Sequence, residues 1–342
     1  MRILIIGGTR FIGWHIASAL RRAGHSVCVF HRGSTPLEGV DGVSEIRGDK
    51  TDLPSYRDRF CQFGPDFVID CIGYTEVDGA RLIETFAGVV PRLIFLSSCD
   101  VYRAHAVLNR STNDLLQETP LLEDSPLRTN AFPYRDPAPG PEDWRYDYDK
   151  IPVERTLLAH PGFQTTVFRL SAVYGPRDYQ LRVWEYLRKM EDGRKAILLS
   201  ESLSNWFWGR GYVENIAAAI GYFVSKEPAS SAIYNLSDPI ALSQNQWVQR
   251  IGQIAGWTGN TLIVPDDQLP EALKLPYNFV QNWTIDSSRF RQVTGFTEPF
   301  SLEESLEKTI AWHRANPPTV SPEQVDRWQC EDEAEDRWLA GR

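Results

Sequence analysis

A doubly wound parallel α/β sheet with a smaller C-terminal α/β substrate lobe is the fold class that the sequence predicts. Two observations lead there. The chain opens on a continuous apolar run, Ile3 to Ile6, that passes through a glycine-rich turn into a helix-period segment. Strand-like and helix-like segments then alternate through the first half of the chain, the pattern of successive βαβ units.

The elements follow in order. Arg10 to Ala23 carries Phe11, Ile16, Leu20 and Ala23 at helical spacing, and Gly24 is the stop. Ser26 to Phe30 reads as the second strand, Ser44 to Arg47 as a short third, Asp66 to Asp70 as the fourth and Arg92 to Ser97 as the fifth. A helix is expected from Tyr146 to Ala159 and a sixth strand from Gln164 to Leu170. Between them, residues 103–145 break the rhythm with six prolines from Pro120 to Pro141. A connection this long is expected to cover the active site as a flap. Tyr134, Arg135, Trp144 and Arg145 in it offer aromatic stacking and anion pairing. Tyr212 to Val224 reads as a helix, and Ile233 to Leu236 as a strand that returns to the sheet. Ser243 with Gln246, and Ser301 with Glu304, are capping boxes that open two later helices. The expected division is a dinucleotide-binding domain over 1–176, its sheet completed by about 211–238. A substrate lobe takes 177–210 and 239–317, and an acidic, solvated tail takes 318–342.

Composition narrows the classes. The 342 residues are 42% hydrophobic and 24% charged, with a net charge of −9, which argues against broad nucleic-acid backbone binding. The five cysteines have no metal-ligand spacing, so no metal is expected. Cys28, Cys71 and Cys99 read as small core residues of a reducing, cytoplasmic compartment. No apolar run is long enough to span a membrane, and no signal peptide is recognised. Trp is abundant at 11 residues, and Trp206, Phe207 and Trp208 lie together. They read either as packing or as an aromatic wall for a sugar-like ring.

Three constellations carry chemistry. Gly7-Gly8-Thr9-Arg10-Phe11-Ile12-Gly13 lies between a strand and a helix, the context of a dinucleotide fingerprint. At the end of the second strand, His31 and Arg32 replace the acidic residue that would hold a ribose 2′-hydroxyl. Arg32 and Arg10 can pair a 2′-phosphate instead, so NADP is expected rather than NAD. Asp49, followed by Lys50, ends the third strand, where a carboxylate can accept from the adenine amino group. Cys71, Ile72, Gly73 and Tyr74 end the fourth and line the cofactor ribose. The third constellation is Tyr146-x-x-x-Lys150, behind the Ser97-Ser98 strand end. On one helix these two side chains share a face, and the ammonium stabilises the phenolate for proton transfer.

In this order the motifs, together with Leu96–Tyr102, Arg169–Pro176 and Tyr212–Ala217, resemble the extended short-chain dehydrogenases/reductases, which include NAD(P)-dependent nucleotide-sugar epimerases and dehydratases. The resemblance spans roughly residues 1 to 315. It implies a Rossmann sheet and hydride transfer at a secondary alcohol or ketone of a sugar-like substrate. Ser98 would hydrogen-bond the reacting oxygen, Tyr146 would be the acid/base, and Lys150 would hold the nicotinamide ribose. Ser97 and Val173 would flank the cofactor. The family's arginine for a nucleotide diphosphate falls on Trp208, which leaves Arg177, Arg182 or Arg210 to substitute. Tyr74, Ser98 and Trp144 complete the expected substrate contacts. A small-molecule partner is expected, with room for a homodimer. The rival from another class is a binding protein of the same fold that serves RNA or a protein partner.

Overall fold

The computed structural model describes residues 1–226 and 230–341. Its strands are β1 (Arg2–Ile6), β2 (Ser26–His31), β3 (Ser44–Arg47), β4 (Phe67–Asp70), β5 (Arg92–Ser98), β6 (Gln164–Leu170), β7 (Ala172–Tyr174), β8 (Ala196–Ser200), β9 (Phe207–Trp208), β10 (Arg210–Tyr212), β11 (Ala232–Leu236), β12 (Leu242–Ser243) and β13 (Asn260–Val264). The α-helices are α1 (Phe11–Arg22), α2 (Arg57–Phe63), α3 (Glu76–Phe86), α4 (Arg103–Leu108), α5 (Lys150–Ala159), α6 (Trp184–Glu191), α7 (Glu201–Asn205), α8 (Val213–Ser225), α9 (Gln244–Ala255), α10 (Ser288–Thr294), α11 (Leu302–Ala315) and α12 (Pro322–Ala340).

Seven strands form one sheet in the order β11-β6-β5-β4-β1-β2-β3, every pairing parallel. The chain order reverses beside β1, so the β1–α1 turn and the ends of β4 and β5 face the crevice where such sheets bind ligands. Alternation along β1 divides the core. Ile3 and Ile5 pack into a cluster with Ile16 and Leu20 of α1 and Ile220 of α8. Leu4 and Ile6 face the opposite layer with Phe60, Phe86 and Val153 of α2, α3 and α5. This two-sided burial is why β1 is continuously apolar. The smaller lobe holds the parallel pair β8–β13 and the antiparallel pair β9–β12. Both expected capping boxes are present, at Ser243/Gln246 and Ser301/Glu304.

Two expectations are corrected. The helix expected from Tyr146 begins at Lys150, capped by Asp149, whose Oδ1 accepts from the Ile151 amide at 3.2 Å. Pro152 is the physical reason. It has no N–H to donate and its ring would clash with the carbonyl four residues back, so it is tolerated only in the first turn. The acidic tail is also not a solvated segment. Residues Pro322–Ala340 form a helix docked on the second lobe. Arg188 pairs with Asp332 at 2.8 Å, Lys189 with Glu335 at 3.1 Å and Arg194 with Asp336 at 2.7 Å. Glu335 is fully buried and also accepts from the Leu198 amide. The tail's carboxylates are counter-ions to basic residues of α6 and the turn after it.

Candidate active site

The glycine turn has the shape that its sequence requires. Gly7 has φ +87°, and a Cβ on Gly13 would lie 2.4 Å from the Gly7 carbonyl oxygen. Only hydrogen fits there, so backbone can approach a pyrophosphate closely. A dinucleotide is compatible with this cradle. Around it, Arg10 and Arg32 are both exposed and neither is ion-paired among the described residues. His31 is engaged elsewhere. Its Nε2 lies 2.7 Å from Glu45, and its Nδ1 accepts from the Gly33 amide. Asp49 caps the short helical turn that follows it by accepting from Thr51, which holds its carboxyl below the usual range.

The ends of β4 and β5 converge on Lys150. Its Nζ donates to the carbonyls of Leu96 (2.7 Å) and Gly73 (3.1 Å). The rings around the ammonium are those of Phe95, Tyr74 and Tyr148. Burial lowers the Lys150 pKa, and the charges of Asp70 and Asp100 act against that shift. Tyr146 is not among the rings around this lysine. It sits in the turn before α5, beneath the Arg135 guanidinium at 4.7 Å, and its carbonyl accepts from Arg135 Nε. The shared helical face expected of Tyr146 and Lys150 is therefore absent. Tyr148 stands nearer the lysine, but its hydroxyl donates to Asp100 Oδ2 at 2.8 Å. Tyr134 donates to the same oxygen at 3.0 Å. Ser98 ends β5, where its Oγ accepts from the Asp100 amide at 3.2 Å.

Ser97 is buried and its hydroxyl donates to Glu154 at 2.5 Å, so only its backbone can face a ligand. Lys50 donates to the Ile72 carbonyl and to Asp78 Oδ2, both at 2.7 Å, which ties its ammonium to the strand end. Ile72 packs against Gly7, Cys71 is half-buried, and the Val173 carbonyl accepts from Arg182. Arg182 also pairs with Asp178. Trp144, 55% exposed, lies over Tyr74 at 5.0 Å, which places the end of the 103–145 segment above the strand ends. Trp208 stacks between Trp206 (5.4 Å) and Trp283 (6.3 Å). Arg210 is buried, bonded to Gln244 and lying over Trp247, and burial lowers its pKa to about 9. Arg177 is placed away from that cluster, over Trp14 of α1 at 4.2 Å.

Asp70 was missed by the sequence reading, although a carboxylate closing an apolar strand before Gly73 was a visible signal. It is buried, and its oxygens accept from the Gly73 amide (2.8 Å) and the Ile72 amide (3.3 Å). Burial pushes its carboxyl up from 3.8 to about 6, with Lys150 and Lys50 acting against the shift. The folded state therefore binds the extra proton more tightly than the unfolded chain does. That contribution to stability is fully present below the unfolded pKa and is lost as pH rises through about 6. The difference is worth about 3 kcal/mol. Asp70→Asn cannot ionise, so its stability relative to the native chain should rise by that order between about pH 4 and pH 7.5. Urea unfolding at both pH values checks this, and a constant difference would contradict it.

A parallel sheet of this order with a glycine cradle at its switch point defines a dinucleotide-binding α/β protein. The chain belongs to the NAD dependent epimerase/dehydratase family, whose model matches residues 3–237. It is an NAD(P)-dependent enzyme of the extended short-chain dehydrogenase/reductase type. It is similar to 2'-dehydrokanamycin reductase of Streptomyces kanamyceticus, 25% identical over 80% of this chain and 72% of that protein. It is also similar to chloroplast stem-loop binding protein of 41 kDa b of Arabidopsis thaliana, 26% identical over 69% of this chain and 58% of that one. Among solved structures, the UDP-glucose 4-epimerase of Thermotoga maritima with UDP-glucose shares the fold, at TM-score 0.69 and 18% identity over 93% and 100% of the two chains. No helix among the described residues is long and apolar enough to cross a membrane.

Proposed function

We propose that this enzyme moves a hydride at a secondary alcohol or ketone of a sugar-like substrate, with NADP preferred over NAD. The observation that carries the reading is the burial of Lys150, whose ammonium bonds the Leu96 carbonyl of β5 and the Gly73 carbonyl just after β4. When bound, the nicotinamide supplies the hydride acceptor or donor. Gly7, Gly8 and Gly13 would admit the pyrophosphate, Asp49 would accept from the adenine, and Arg10 and Arg32 would pair the 2′-phosphate. Lys150 would exchange a carbonyl partner for the nicotinamide ribose. Ser98 would orient the substrate oxygen, and Tyr146 would move its proton after the turn before α5 closes. Tyr74 and Trp144 offer faces against which a sugar ring can stack.

Cofactor titration tests the reading. NADPH should bind more tightly than NADH by calorimetry, and Arg32→Ala should narrow the gap by one to two decades, the worth of about 1.5–3 kcal/mol for a charge-assisted contact. NADH preferred by the native chain would refute the cofactor assignment. The likeness to a stem-loop binding protein supports a second reading, in which the fold serves RNA. The net charge of −9 weighs against it. A salt-sensitive gel shift with structured RNA, without substrate turnover, would favour it.

A further inference from the structure

A cavity of about 530 Å³ opens beside the glycine turn, walled on one side by Thr9, Arg10 and Phe11. Arg177 lines it from the loop after β7, and Thr35 from the loop after β2. Another part of its lining comes from far along the chain. It is Pro318 to Ser321, in the connection between α11 and the docked helix α12, together with Gln324 in the first turn of α12. Nothing in the family match reaches this segment, since that match ends at residue 237.

The chemistry of the cavity is that of an anion site. Arg10 and Arg177 are held by aromatic faces, Arg10 over Tyr179 at 5.1 Å and Arg177 over Trp14 at 4.2 Å. Neither pairs with a carboxylate or spends a donor in a hydrogen bond among the described residues. Stacking leaves the planar donor edge of a guanidinium free, the edge that recognises phosphate. Asp178, the carboxylate that also lines the cavity, is buried and occupied by Arg182. Thr9, Thr35 and Thr319 add hydroxyls. The lining from Pro318 to Gln324 is fixed in place. Ser321 caps α12, and α12 is anchored by Glu335 and the ion pairs to Arg188, Lys189 and Arg194.

We propose that residues 318–324 are part of the cofactor site, and that Thr319 faces the dinucleotide phosphates along with Arg10 and Arg177. The inference rests on the dinucleotide reading above. In it, the docking of α12 serves to hold a binding wall, so the C-terminal region contributes to cofactor affinity although it lies beyond the residues that the family model matches.

Two substitutions of opposite charge at one position test it on the full chain, with NADPH affinity measured by calorimetry at low salt. Thr319→Glu should weaken NADPH binding about tenfold, and Thr319→Arg should tighten it by a similar factor. Added salt should shrink both effects. A loss of folding cannot produce a gain in affinity, so the arginine variant separates the proposal from damage. Thermal melts without cofactor should be alike for the three proteins. If the native chain binds NADPH and both variants match it within about twofold, the wall has no part in binding and the inference is overturned. If the native chain binds neither NADPH nor NADH, the dinucleotide reading itself fails.

Discussion

Tyr146→Phe is expected to reduce turnover by about two to four decades while leaving NADPH affinity within about threefold. The hydroxyl is the proton carrier in the proposed reaction and is remote from the phosphates. Phenylalanine keeps the ring beneath Arg135, and the bond from Arg135 Nε to the backbone carbonyl at 146 does not involve the side chain. Folding should therefore survive. Tyr148→Phe is the informative control. Its hydroxyl is buried and donates to Asp100, and burial first and the Asp100 charge second raise its pKa well above 10. A phenol held neutral this way is a poor proton carrier near neutral pH. Its loss should cost about 1–3 kcal/mol of stability, because the buried Asp100 carboxylate loses one of the two hydroxyls that donate to it, and should spare turnover. Steady-state kinetics and urea unfolding of both variants decide the matter. Full activity in Tyr146→Phe with none in Tyr148→Phe would transfer the role to Tyr148.

The largest loss of stability is expected from Glu154→Ala. Glu154 of α5 accepts from Arg169 Nη2 at 2.7 Å and Nε at 3.1 Å, and from Ser97 Oγ. Arg169 continues the network to the Tyr102 hydroxyl (3.2 Å) and the Glu123 carbonyl (2.8 Å), and Tyr102 donates to Asn235 at 2.6 Å. Glu154 and Arg169 are both 2% exposed. Removing the carboxylate strands a guanidinium among β5, β6 and α5, where breaking a buried pair costs about 3–5 kcal/mol. Because α5 starts at Lys150, one turn away, activity should fall as well. Replacing both partners, as Glu154→Leu with Arg169→Met, removes the stranded charge and should recover most of the loss. A double-mutant cycle with additive costs would show that the two residues are not coupled.

The sheet and the cofactor cradle were legible because their signals are local. A buried parallel strand must be apolar on both faces, so Ile3 to Ile6 announces itself. Gly13 must lack a Cβ for the Gly7 carbonyl to pass, so the turn writes its geometry into its composition. The capping boxes at Ser243/Gln246 and Ser301/Glu304 each span four residues and were equally visible. The start of α5 was visible too, in Pro152, but the familiar Tyr-x-x-x-Lys spacing drew the helix back to Tyr146 against that proline's steric limit. Other features belong to the tertiary structure alone. Whether an acidic run is solvated or docked depends on where its counter-charges stand. Those of Asp332, Glu335 and Asp336 stand more than 130 residues earlier, at Arg188, Lys189 and Arg194. The position of Arg177 against α1, and of Lys150 between two strand ends, likewise follows from chain crossovers that no local window contains. Hydrogen-bond periodicity and steric exclusion act over a few residues and leave their mark in sequence. Charge pairing and burial act through space, so only the folded chain decided which of these groups meet.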